Sequence, residues 1–345
     1  MVDDKPKQNP DYVKEQLSRR SLIRRIATVA GLGTAAGYLT LAPENWPFSM
    51  KDKTGLRSKP IITPLKLTDF RVEKPAMASD VAVGRGPNVE ERLRKALDAI
   101  GGLTHYVKPG DIVLLKPNVA FDRSPNLGAT SNPEIVEILV RMLLVDCRAQ
   151  EVRVADNPIE SPADCFAKSG VGPAAERGGG RVYLPDSNAF RTLNTPGAVL
   201  IENWLFFHRP LTNVDKVIGV APVKDHNLCQ ASMGIKNWYG LLGGRRNQFH
   251  QDIHEIVSDL ALMLRPTLTI VDGSHILMKN GPTGGDPSNV KPGNAIVAGT
   301  DPVALDAWAF EHLLERGNDY PRYLYKAEEK GCGRVDYRGR VEEIV

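Results

Sequence analysis

From residue 80 onward the chain alternates short apolar runs with amphipathic stretches, and each change of period marks a new element. Residues 80–83 (Asp-Val-Ala-Val) read as a short strand. Asn88 and Glu91 then form a capping box, each side chain satisfying a backbone N–H of the first turn, for a helix through Ile100. The continuous apolar run of residues 111–115 predicts a strand buried on both faces. Ser131 and Glu134, with Pro133 in the first turn, open a helix through Val145. Residues 151–155 give a third strand. The alternation continues through strands at 182–184 and 216–220, a helical stretch at 251–264, strands at 268–271 and 295–298, and a helix opened by Asp301-Pro302. Residues 185–210 break the pattern and read as a hairpin excursion. Strands alternating with helices predict an α/β fold, a mostly parallel sheet with helices on both faces, built as one large domain or two lobes.

Before residue 80 the pattern is different. Ser18-Arg19-Arg20-Ser21-Leu22-Ile23-Arg24 places an arginine pair ahead of apolar residues and another cation, the charged front of a twin-arginine export signal. Residues 26–42 follow without charge but are diluted by Gly31, Gly33 and Gly37. They are barely long enough to cross a bilayer at 1.5 Å per residue. Residues 1–42 therefore read as a signal that engages the twin-arginine translocase and sends the folded chain to the periplasm or another extracytoplasmic space. Thr40-Leu41-Ala42 offers a small-residue cleavage site, whereas Pro43 hinders cleavage, so residues 26–42 are either removed or kept as a membrane anchor. Residues 43–78, rich in Pro and Lys and without periodicity, read as a linker to an α/β domain at 79–345.

Charge narrows the function. The whole chain carries a net +3, and without residues 1–50 only a single net positive charge remains. A nucleic-acid binder living on phosphate contacts needs a basic excess or stripe, so that class is excluded. Cys147, Cys165, Cys229 and Cys332 are far apart with no C-x-x-C spacing, which excludes a cysteine-held iron–sulfur cluster or structural zinc and predicts mostly buried free thiols.

Candidate chemistry gathers after the strands. In open α/β sheets ligands bind outside the carboxyl ends of the strands. Lys116 and Asn118, Asp156 and Asn157, Lys224 and His226, Asp272 with Ser274 and His275, and Asp301 each follow an expected strand. For Asp301, helix capping is the competing reading. A second group is Lys236-Asn237 and the glycine loop Gly243-Gly244-Arg245-Arg246, leading to His250 and His254. On a helix those histidines stand at i and i+4, where two imidazoles can share a metal ion; packed histidines are the plainer alternative. Gly84-Arg85-Gly86 lacks the third glycine of a dinucleotide fingerprint and reads as a turn. Residues 280–286 (Asn-Gly-Pro-Thr-Gly-Gly-Asp) read as a flap or a surface loop.

The ordered motifs at 111–118, Thr130-Ser131-Asn132-Pro133, 154–156, Lys224-Asp225-His226, Gly234-Ile235-Lys236-Asn237 with Gly240, 271–273, Asn280-Gly281-Pro282 and 301–306 resemble the family named domain of unknown function 362, from about residue 80 to 315. Members of that family often carry a ferredoxin-type cysteine module, which this chain lacks. A weaker similarity is to nickel-pincer lactate racemases. It implies that Lys236 tethers a modified nicotinate and that His250 or His254 binds nickel.

The residues together lead to an enzyme acting on a small anionic molecule. Lys116, Asn118, Asp156, Lys224 and Asn237 bind it, and His226, Lys236, His250 and Asp272 supply the acid–base chemistry, with a divalent metal or a nickel-containing cofactor as an addition. The alternative is a non-catalytic exported binding protein or an assembly factor for a redox enzyme.

Overall fold

The computed structural model describes residues 63–345. The arginine pair, residues 26–42 and the linker up to residue 62 lie outside the described residues. Residues 63–78 hold neither helix nor regular strand. Phe70 is nevertheless buried, its backbone bonded to Arg265 O and to the Thr267 hydroxyl.

The alternation of apolar runs and amphipathic stretches becomes one large sheet. Its strands are β1 (Val81–Arg85), β2 (Ile112–Lys116), β3 (Glu151–Ala155), β4 (Arg181–Tyr183), β7 (Lys216–His226), β8 (Gln230–Ser232), β9 (Leu268–Leu277), β10 (Val290–Lys291), β11 (Ala295–Gly299) and β12 (Val341–Ile344). The order across it is β12-β1-β11-β9-β7-β2-β3-β4, with β10 beside β9 and β8 beside β7. From β9 to β4 every pair on this path is parallel, and β11 runs against both of its neighbours. Strands β5 (Phe190–Asn194) and β6 (Asn203–Phe207) form the expected hairpin as a separate antiparallel pair.

Alternate side chains along each strand face opposite layers, as the period of two requires. Val113, Leu115, Ile218, Val220, Leu268 and Ile270 join one core with the helices Val89–Ala99 and Pro133–Val145. On the other face a Cβ at Gly219 would meet Trp238, and one at Gly234 would meet Thr269 and Asp306. That face carries the Gly234–Asn237 turn and the Pro302–His312 helix, so the sheet is covered on both sides. The four cysteines are buried free thiols. No helix among the described residues is long and apolar enough to cross a membrane.

Several local expectations change. Asn132, not Ser131, caps the Pro133–Val145 helix, because the Ser131 hydroxyl accepts from Asn118 N and donates to Val220 O. Gly84 and Arg85 continue β1 instead of turning, since glycine at 84 lets the Val89–Ala99 helix lie on the strand: a Cβ there would stand 1.9 Å from Arg92 O. Strands β7 and β9 run past their apolar runs, which puts Lys224, His226, Asp272, Ser274 and His275 inside strands. Asp301 does cap its helix, accepting from Val303 N and Ala304 N, both at 3.0 Å. Because β11 is antiparallel, Asp301 leaves the sheet at the end opposite to the other carboxyl ends.

Candidate active site

The parallel strands β2, β3 and β7 end on one edge, and their polar residues meet there. Lys116, Asn118, Asp156, Lys224, His226, Lys236, Asn237 and His250 all line one cavity of about 60 Å³. Pro222 sets up the β7 contribution. Proline has no N–H to give the ladder, and the register with β9 shifts between Pro222 and Lys224. Beyond that irregularity Lys224 and His226, two apart, share the cavity face. Asp225, between them, instead accepts from Gly281 N at 2.9 Å and from Arg316 at 2.8 Å. That bond ties down the 280–286 loop, whose Pro282 closes one side of the cavity.

One half of the lining is a finished network. Lys116 Nζ donates to Asp156 at 2.7 Å, Pro117 O at 2.7 Å and Asn237 Oδ1 at 2.9 Å, using all three of its protons. Asp156 also accepts from Val119 N at 2.6 Å and Asn157 N at 3.0 Å. Asn237 Nδ2 donates to Lys116 O and Val220 O, stitching β2 to β7. Gly240 is needed beside this network, because a Cβ there would come within 1.8 Å of Asp156 Oδ1 and 2.8 Å of Lys116 Nζ. Arg246 is engaged at both terminal nitrogens, donating to the carbonyls of Tyr239, Leu242, Asn157 and Pro158.

The other half is less satisfied. Lys224 Nζ donates to Ala129 O at 2.7 Å and Asn118 Oδ1 at 3.2 Å and sits over the Phe121 ring. Lys236 Nζ lies over the Tyr239 ring at 5.1 Å, and among the described residues it has no hydrogen-bond acceptor. Burial pushes all three lysines below the usual ammonium range. Lys224 falls to about 7, with Lys236 adding to the effect of burial and Asp156 opposing it.

The two imidazoles have complementary protons. Leu228 N–H donates to His226 Nδ1 at 3.2 Å, so the His226 proton sits on Nε2. His250 Nδ1 lies 3.0 Å from Asn247 O, which can only accept, so its proton is on Nδ1 and Nε2 keeps a lone pair. Burial, then Lys236 and Lys224, hold His226 neutral, and burial also lowers His250 despite its bond to Asn247. The rings stack at 6.4 Å.

Two expected site residues lie elsewhere. Asp272 is in β9, buried and accepting from Ser274 N at 2.8 Å, away from the cavity. His254 packs on Tyr323, whereas His250 faces His226 and Tyr239. The expected i,i+4 geometry is not realised, because His250 belongs to the 3-10 segment Arg246–Asp252 and the α-helix begins only at Ile253. No cluster of three metal-ligating side chains exists among the described residues. Among the described residues a protein-held divalent metal therefore lacks its donor set.

Sequence reading missed Asp306 and Tyr239 as site residues, whereas Arg246 of the glycine loop does reach the cavity. Asp306, fully buried on the Pro302–His312 helix, accepts from Gly234 N at 2.8 Å and Ile235 N at 3.0 Å and so holds the turn that carries Lys236 and Asn237. Its spacing four after Pro302 places it on the face of that helix turned to the sheet, a signal legible only once the helix is known to pack there.

The lysines make a testable statement about pH. Lys224 has a folded value near 7 and a reference value of 10.5, so between those limits the native state binds fewer protons than the unfolded chain. Stability should rise with pH across that window. We expect the ligand-free protein to melt at increasing temperature from pH 7 to pH 9.5, and Lys224→Met to flatten the rise. An unchanged slope in the variant would show that Lys224 is charged when folded.

Residues 113–311 match the family described as Domain of unknown function (DUF362). A thylakoid-associated protein of Synechocystis sp. is 29% identical over 231 residues, covering 62% of this chain. The match spans 66% of that relative's length, just under two thirds. Among solved structures, the lactate racemase apoprotein from Thermoanaerobacterium thermosaccharolyticum gives a TM-score of 0.35 at 15% identity, covering 77% of this chain and 58% of that one. A Thermotoga maritima crystal structure gives 0.33 at 13% identity, covering 73% and 61%. Neither score carries an argument about chemistry.

Proposed function

Because the chain belongs to the Domain of unknown function (DUF362) family, and the matched stretch holds every residue that lines the cavity, we propose that this cavity binds a small organic anion and moves a proton on it. One observation carries this reading. Lys116, Lys224, Lys236 and Arg246 surround about 60 Å³ with Asp156 as the single carboxylate in the lining. Several like charges in a buried site are costly unless some are neutralised by deprotonation or by a ligand of opposite sign. A carboxylate of four to six heavy atoms meets both the charge and the volume. Lys224 and Lys236 have donors to spare for its oxygens. His226 Nε2–H donates a hydrogen bond to an oxygen where charge develops, and the His250 Nε2 lone pair accepts a proton. The sequence Ser18–Arg24 supports export of the folded protein by the twin-arginine route.

Binding of the anion should recharge the lysines, so protons are taken up and affinity weakens as pH rises. We expect calorimetry with oxalate to give a binding heat that depends on the ionisation heat of the buffer. The affinity should fall by about tenfold or more between pH 6.5 and pH 8.5, because a neutral amine no longer offers its charge. Binding that is absent, or indifferent to pH and buffer, would refute the reading. Proton-coupled binding without any exchange of carbon-bound hydrogen in D2O would leave a binding protein in place of an enzyme.

A further inference from the structure

Resting on the anion-binding reading, we propose that Lys236 is a nucleophile that forms an imine with the carbonyl of a small 2-oxo acid, the substrate class being the size of glyoxylate or pyruvate. The three lysines of the cavity are alike in sequence but differ in what holds them. Lys116 spends all three protons on protein acceptors, and Lys224 spends two. Lys236 spends none on any described residue, has only the Tyr239 ring beneath it, and is 9% exposed in the cavity wall.

An ammonium in that position would be buried without a counter-charge, whereas a neutral amine needs no partner. Burial, the largest effect, favours the neutral form; Cys229 opposes it and the nearby Arg246 adds to it. A desolvated lysine beside other cations is the environment that turns an amine into a nucleophile at neutral pH. The turn bearing Lys236 is also anchored, since Asp306 accepts from both N–H groups at its start. The amine is thereby kept in place without a bond of its own.

The remaining lining supplies the rest of the reaction. Lys224 pairs with the carboxylate of the 2-oxo acid, which leaves the adjacent carbonyl for Lys236. The Nζ lone pair forms the C–N bond while the C=O π pair moves to oxygen, where the His226 Nε2–H stabilises it by hydrogen bonding. His250 Nε2 takes a proton from the new C–N nitrogen and returns it to the oxygen, giving the carbinolamine. One further proton from solvent, relayed by His250, lets that oxygen leave as water as the nitrogen lone pair forms C=N⁺. The net change is amine plus carbonyl plus one proton to iminium plus water, with no oxidant or reductant. The cavity of about 60 Å³ matches five or six heavy atoms, so longer 2-oxo acids should be excluded.

The test is reductive trapping. The full chain is incubated with pyruvate or glyoxylate and sodium cyanoborohydride at pH 7, and the modified peptide is mapped by mass spectrometry. We expect one adduct per chain, on Lys236, protected by excess oxalate and lost in both Lys236→Arg and Lys236→Met. Its formation rate should level off at a lower pH than that of surface lysines, because burial lowers the Lys236 amine below the usual ammonium range. Oxalate binding without an adduct, or an adduct on Lys224 or Lys116, overturns the inference and leaves the anion-binding reading standing. Failure of oxalate to bind the wild type removes both. Circular dichroism and thermal melting of Lys236→Arg show whether a lost adduct reflects a missing amine or a missing fold.

Discussion

Asp156→Asn is expected to destabilise the protein by about 3–5 kcal/mol, the effect of removing one partner of a buried ion pair. Both members of the Lys116–Asp156 pair are 1% exposed, so neither charge can turn to water when the other is gone. Lys116 would then remain among Lys224, Lys236 and Arg246 with no carboxylate in the lining. The asparagine could still accept from Val119 N or Asn157 N, so the loss is mainly one of charge. Lys116→Met in the same background removes the stranded ammonium and should recover at least half of the deficit, a coupling that a double-mutant cycle by urea denaturation measures directly. A single Asp156→Asn variant within 1 kcal/mol of the wild type would mean that the pair is not ionised, and the count of cavity charges would have to be redone.

The effect also says why the site sits where it does. An anion-binding cavity made only of cations would have to shed several protons to fold without a ligand. Asp156 neutralises one lysine permanently and fixes it as scaffolding. The other two are left to respond to ligand and to pH.

Much of this arrangement was legible in the sequence, for a physical reason. Apolar period fixes strands and helices, and parallel strands bring their carboxyl ends to one edge, so Lys116, Asp156 and Lys224 could be expected together from order alone. Eight of the ten expected site residues do meet at the cavity. What order could not supply was direction. Asp301 follows a strand as the others do, but β11 is antiparallel and carries it to the far end. Asp272 lies within the extension of β9, where side-chain parity turns it from the cavity. His250 and His254 looked like an i,i+4 pair only on the assumption of one continuous α-helix, and the 3-10 segment ending at Asp252 breaks that relation. The three lysines were indistinguishable by type, since hydrogen-bond partners from distant elements decide which is scaffold and which is free. Asp306 was hidden for the same reason, its partners being backbone N–H groups more than seventy residues away.

Asp306→Ala should cost about 2–6 kcal/mol, because it orphans two buried backbone donors at about 1–3 kcal/mol each. Asp306→Asn should cost less, since its carbonyl oxygen can still accept from one of them. The isosteric variant is the more informative. Burial pushes the Asp306 carboxyl up to about 7, against two N–H bonds that oppose the shift, while the unfolded value is near 3.8. Between those limits the native state holds a proton that the unfolded chain has released, so the carboxyl's contribution to stability shrinks as pH rises. The gap between wild type and Asp306→Asn should therefore be wider at pH 5 than at pH 8, measured by urea denaturation at both. The turn carrying Lys236 and Asn237 loses its anchor in the same variant. Oxalate affinity, measured well below the melting temperature, should fall by about tenfold to a hundredfold, the cost of a small misplacement of binding groups. A variant that melts early yet binds oxalate as the wild type does would confine Asp306 to stabilising the fold.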